Sequence, residues 1–173
     1  MRVLPSCLAV ATGLLTTAAL AGAQATPPGE NPGQAFFHGA LIDDAKTATA
    51  IREGLKTGAV IVDPATQYAD LTGDAKSDAI VRVHSAGAAG VIAVYVFSTD
   101  SAPKRGLRVV YRTQSLYRAL TMPTDDRQLQ IDQPRYAPGD DVCCPRRVTR
   151  RRYRFSKSSR TFIRTSLESI DLG

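Results

Sequence analysis

Between residues 41 and 55 apolar side chains recur at steps of three and four, as Leu41, Ala45, Ala48, Ile51 and Leu55, which is the spacing of one face of an α-helix. Asp43 or Asp44 can cap the start of this helix, and Gly58 can supply a left-handed residue at its end. Beyond Gly58 the period shortens. Runs rich in Val, Ile, Tyr and Phe occupy 60–62, 79–84, 91–98, 107–113, 116–122, 129–133, 148–155 and 161–166, divided by Gly, Pro, Asp and Ser. That is the pattern of an antiparallel sheet. The run 91–97 has no polar side, which predicts a central strand covered on both faces, one of them by the helix. The expected fold class is therefore α+β, with an amino-terminal amphipathic helix packed on a mainly antiparallel sheet of about five to eight short strands.

The chain ahead of the helix reads differently. Residues 26–34 (TPPGENPGQ) are rich in Pro and Gly and bury too little apolar surface to offset the entropy of ordering them, so 26–38 is expected to be a flexible leader. Residues 1–25 have the parts of a cleavable secretory signal peptide: Arg2, an apolar stretch over 8–20, and Ala23-Gln24-Ala25 before Thr26. A membrane span needs about 20 predominantly apolar residues. This stretch is shorter and is broken by Thr12, Gly13, Thr16 and Thr17, so no transmembrane span is expected after cleavage. Cys7 precedes the apolar stretch and leaves with the signal. The remainder, 39–173, has a length that suits one domain, and its expected location is secreted or extracytoplasmic.

Charge changes this picture by its distribution. The 173-residue chain carries a formal +6. Nine cations fall between Arg146 and Arg164, with no acid among them. If 148–155 is a strand, Arg150, Arg152 and Arg154 share one face while Arg151, Tyr153 and Phe155 take the other. Arg146, Arg147, Arg150, Arg152 and Arg154 are thus a candidate anion-binding ribbon for cell-wall polymers or lipid headgroups. The competing reading is a solvated strand whose arginines pair with acids such as Asp140, Asp141 or the loop at Asp70. Nucleic acid is not the expected partner, because the run lacks an interleaved aromatic platform and a recognition-helix pattern.

Two further segments carry candidate chemistry. In residues 70–78 (DLTGDAKSD) the side chains of Asp70, Thr72, Asp74 and Asp78 and the carbonyl of Lys76 have the spacing a hard cation requires of a short oxygen-rich loop. The segment resembles the calcium loop of FG-GAP (VCBS) repeats, which implies calcium as a cofactor held in a structural turn. Thr72 stands where that loop usually has Asn or Asp, and Ala75 where it has a Gly of positive φ. The alternative reading is an acidic hairpin turn held by its own backbone hydrogen bonds. The second segment is Cys143-Cys144-Pro145. With Cys7 removed these are the only cysteines, and they can form a vicinal disulfide, act as a redox-responsive pair, bridge to another chain, or remain as thiols. An oxidising compartment favours the disulfide.

His38 lies at the leader and His84 ends a strand run, and neither has the spacing of a hydrolase triad or a metal site. The blocks 68–74, 91–96, 136–145 and 153–155, in that order, are similar to a group of small secreted proteins of actinobacterial type. The resemblance covers nearly the whole mature domain and implies no assigned activity. Where that group usually has Gly, Ser and Trp, this chain has Ala75, Arg146 and Arg154. The expected function is a secreted or cell-envelope non-catalytic binding or structural module. The alternatives are an extracellular hydrolase whose residues converge only in three dimensions, and a protein inhibitor or interaction partner.

Overall fold

The computed structural model describes residues 30–99 and 106–172. The predicted signal peptide, Cys7 and the first part of the predicted leader lie outside them. The first helix, α1 (Pro32–Asp43), starts inside the segment expected to be a flexible leader. Its start is locally encoded: the Asn31 side chain accepts the Gln34 N–H at 2.8 Å, and Pro32 takes the first helical position, where its missing N–H costs nothing. Phe37 and Leu41 anchor it by burial.

The helix expected from Leu41 onward is instead divided between α1 and α2 (Thr49–Thr57). Tertiary bonds fix the break. Asp44 receives the Arg112 guanidinium at 2.9 Å and the Lys46 N–H at 3.0 Å, and the Ala48 N–H donates to Gln114 at 2.6 Å. Gly58 ends α2 in the left-handed conformation at φ 76°. At Gly54 a side chain would not fit, since an added Cβ would lie 2.9 Å from the Val60 Cβ.

Nine strands follow among the described residues: β1 (Val60–Val62), β2 (Gln67–Ala69), β3 (Asp78–Ser85), β4 (Val91–Ser98), β5 (Arg108–Gln114), β6 (Leu120–Pro123), β7 (Gln128–Arg135), β8 (Arg147–Ser156) and β9 (Thr161–Asp171). They form two antiparallel sheets where one was expected. The first has the order β1-β3-β4-β5, with β2 also paired to β3, and the second has the order β6-β7-β8-β9. The pairing of β8 with β9 shifts register between Arg152 and Tyr153, because Arg152 faces Ser166 while Tyr153 faces Arg164. Thr165 is left as the extra residue of a β-bulge.

The first sheet is the middle layer. Ala93, Tyr95 and Phe97 of β4 join Phe37, Leu41, Ile51 and Leu55 of the helices in one core cluster. Val94 and Val96, from the opposite side of the same strand, join Leu129, Ile131, Phe155 and Phe162 of the second sheet in another. The absence of a polar side on 91–97 follows from this two-sided burial, and each fully buried aliphatic contributes roughly 1.5–3 kcal/mol. Tyr111 lies between the sheets with its ring centroid 5.0 Å from that of Tyr153 and 5.4 Å from that of Phe162. Burial there pushes its hydroxyl well above the ordinary tyrosine range.

Candidate functional site: the outer face of the second sheet

The second sheet has one face in the core and one turned away from it. Along β8 the alternation sends Tyr153 and Phe155 inward and leaves Arg150, Arg152 and Arg154 on the outer face. Register then decides what stands beside each guanidinium. On β7, Asp132 lies opposite Arg150, Gln130 opposite Arg152, and Gln128 opposite Arg154. On β9, Glu168 lies opposite Arg150 and Ser166 opposite Arg152.

These neighbours bind the arginines. Arg150 grips Asp132 through Nε at 2.9 Å and Nη2 at 2.8 Å, a bidentate pair in which the Asp132 side chain is only 10 % exposed. The hydrogen bond to Asp132 holds the Arg150 guanidinium in its charged form, above its already high pKa. Arg152 donates to Gln130 and to Glu168, both at 3.1 Å. Arg154 reaches Asp126 at 3.3 Å, Arg147 reaches Asp171 at 2.7 Å, and Arg146 reaches Asp140 at 3.0 Å. All five arginines of the predicted anion-binding ribbon therefore hold a carboxylate of this chain, one of them the Asp140 named from sequence.

At one end of this face the charge gives way to an apolar floor. Leu120 of β6, Pro134 of β7, Val148 of β8 and Ile170 of β9 line a cleft of about 510 Å3, with Leu172 at its edge. The segment 136–146 folds over it and supplies Tyr136, Val142, Cys143 and Pro145 as a wall. Two donors fasten that wall through one carbonyl: Arg118 Nη1 and the Tyr136 hydroxyl both donate to Val142 O, at 2.6 Å and 3.1 Å. Arg118 also donates through Nε to Ala88 O at 3.0 Å, and Tyr117 packs edge-on against Tyr136. Cys143 and Cys144 form a vicinal disulfide with Cα atoms 3.8 Å apart. Arg118, Asp132 and Arg150 are the charged residues of the lining.

The Asp70 loop lies elsewhere, before β3. Its carboxylates are turned to main-chain amides. Asp78 accepts the Leu71 and Thr72 N–H groups, both at 2.8 Å, and the Thr72 hydroxyl. Asp70 accepts those of Gly73, Asp74 and Ala75, and Asp74 accepts that of Lys76. The Lys157 ammonium donates to the Gly73 carbonyl, and Arg127 stands 3.6 Å from Asp70. Burial pushes the Asp78 carboxyl above its usual range, against the opposing pull of its hydrogen bonds to Ser98, Thr72 and Leu71. Ala75 takes φ 64°, the conformation that the calcium-loop pattern assigns to glycine. Among the described residues, no group of three or more His, Cys, Asp or Glu side chains is placed to hold a metal ion.

Sequence reasoning did not connect His84 with Asp63. Nε2 of His84 lies 2.9 Å from the Asp63 carboxylate, which Arg82 also contacts at 2.9 Å. The signal for this pair is the β1–β3 register, which sets Ile61 opposite His84 and so brings Asp63 alongside. His38, on α1, contacts Glu30 and the Leu55 carbonyl. No helix among the described residues is long and apolar enough to cross a membrane. No protein-family model, curated protein or solved structure gives a significant match to this chain.

Proposed function

We propose that the protein is an exported, non-catalytic binding module that binds through the outer face of its second sheet. The cleft between that face and the segment 136–146 carries the reading. Its volume falls within the range of roughly 300–1,000 Å3 typical of small-molecule sites. Its lining is apolar except for a few charged groups fixed by hydrogen bonds. Asp132 and Arg150, the titratable pair at its floor, neutralise one another, which favours recognition over proton transfer. Export follows from Arg2, the apolar stretch 8–20 and Ala23-Gln24-Ala25, and a vicinal disulfide suits an oxidising compartment.

The arginine ribbon supplies the rival surface, supported by the concentration of nine cations in 146–164. Since Arg146, Arg147, Arg150, Arg152 and Arg154 already hold carboxylates, an anionic polymer would have to displace these partners. One pair of measurements separates the surfaces. The folded protein should enhance the fluorescence of 8-anilinonaphthalene-1-sulfonate, Val148→Asp should abolish the enhancement, and Arg152→Glu with Arg154→Glu should leave it unchanged. No enhancement, together with heparin retention that the double arginine variant abolishes, would transfer the function to the ribbon.

A further inference from the structure

The donors and acceptors inside the cleft are out of balance, and the imbalance defines what would complete it. On the acceptor side, the Asp132 carboxylate already receives Arg150 Nε and Nη2 and the Gln130 amide at 3.1 Å. The Val142 carbonyl receives Arg118 and Tyr136. On the donor side, Arg118 spends Nε and Nη1 on main-chain carbonyls, and Arg150 spends Nε and Nη2 on Asp132. A guanidinium has more N–H groups than these bonds use. Among the described residues, Nη2 of Arg118 and Nη1 of Arg150 have no hydrogen-bond partner, and both cations line the same cleft. The lining holds two cations to one anion, so its net charge is positive.

Around these donors the surface is apolar and of fixed shape. Pro134 and Pro145 present flat, rigid faces, and Cys143 presents a polarizable sulfur of the kind that packs well against aromatic rings. Leu120, Val142 and Leu172 are 64 %, 52 % and 56 % exposed, an apolar rim that a partner would remove from water.

From this geometry we infer that the cleft binds a small apolar carboxylic acid, with its aromatic or alkyl body on the Leu120–Val148–Ile170 floor and its carboxylate at Arg118 and Arg150. The inference rests on the binding reading above and adds the ligand's chemistry to it. The body supplies the hydrophobic contribution, and the carboxylate supplies the acceptors the cleft lacks. A cationic head would meet a lining of net positive charge, and a neutral hydroxyl would accept without neutralising the excess cation.

Isothermal calorimetry on the purified, oxidised protein tests this with 4-butylbenzoate, 4-butylbenzyl alcohol, 4-butylbenzylamine and acetate. The expected order has 4-butylbenzoate binding at least about tenfold tighter than the alcohol, a difference of about 1.4 kcal/mol, with the amine and acetate giving no heat of binding. Arg118→Met should reduce the benzoate's advantage over the alcohol to less than threefold, and Ile170→Trp should block both compounds by filling the floor. The thermal midpoint of each variant reports that it is folded, and Arg164→Gln, away from the cleft, should bind as the parent does. If the alcohol or amine matches the benzoate, the cleft binds but the carboxylate assignment is wrong. If none of the butylbenzene compounds binds, the cleft is not a binding site and the functional reading falls with it.

Discussion

The two sheets are built on opposite terms. In the first, β4 is covered on both sides, and Val94, Tyr95 and Val96 are fully removed from water. Its neighbours could be exchanged for other apolar residues of similar volume with modest loss. In the second, the inner side is apolar, and the outer side carries a row of guanidinium groups, each beside an acid or amide from the next strand, with the apolar cleft at one end. Packing holds the one, while register holds the order of the other. A one-residue slip of β8 against β7 would turn Tyr153 and Phe155 outward and take Arg150 from Asp132 and Arg154 from Asp126, so the charged row specifies pairing even where it adds little stability.

Equal truncations on the two sides of the second sheet test this contrast most strongly. Ile131→Ala, on the inner side, should cost about 3 kcal/mol, whereas Arg152→Ala, on the outer side, should cost less than about 1 kcal/mol. Urea midpoints at unchanged slope report both values. Equal losses would show the outer row to be as structural as the core. Arg150 should fall between the two. Its removal leaves Asp132 buried without its main donor, a loss of about 2 kcal/mol once the partial exposure of the guanidinium is allowed for. Asp132→Asn in the same chain should restore most of that loss, and a double variant no better than Arg150→Ala would mean that the arginine acts through packing instead.

The smallest effect sharpens the comparison from outside both sheets. Ala75 holds a left-handed conformation in a loop tied together by Asp70 and Asp78. Ala75→Gly should raise stability by about 0.5–1 kcal/mol, since relief of the Cβ strain exceeds the extra backbone entropy. Millimolar calcium should leave the thermal midpoint of both forms unchanged, because the carboxylates are committed to amides. A rise with calcium would mean that the loop rearranges to bind it.

Much of the strand pattern was readable from the chain because Val, Ile, Tyr and Phe cluster wherever a strand is buried. Each failure has its own physical cause. Ala45 and Ala48 continue the helical spacing of Leu41 and Ile51, but the bonds that interrupt the helix come from Arg112 and Gln114, far along the sequence. Asn31-Pro32 is a helix-start signal that the Pro- and Gly-rich surroundings obscured. β2 is three residues long, too short to show a period. β6 begins at Leu120 and not at Leu116 because Ser115 and Arg118 take positive φ, at 66° and 49°. At the site, the outward set of arginines could be read from alternation alone. Their partners Asp126, Asp132, Glu168 and Asp171 could not, because they depend on register. The cleft was hidden for a similar reason: its floor comes from four strands and its wall from a segment whose apolar residues, Val142 and Pro145, are single letters in a polar stretch.

The bulge at Thr165 bears on how this chain tolerates a change of length. Thr165 spends its hydroxyl on Gln128 and on the Arg152 carbonyl, and it separates two halves of β9 that are each in step with β8. Excising that residue closes the irregularity and keeps Phe162 facing Phe155 and Glu168 facing Arg150. Losing a residue on either side instead inverts whichever half lies beyond the cut, sending core side chains into solvent or Glu168 away from its cation. The ladder thus contains one position where an evolutionary deletion can be neutral, in the middle of a strand, where none would ordinarily be sought.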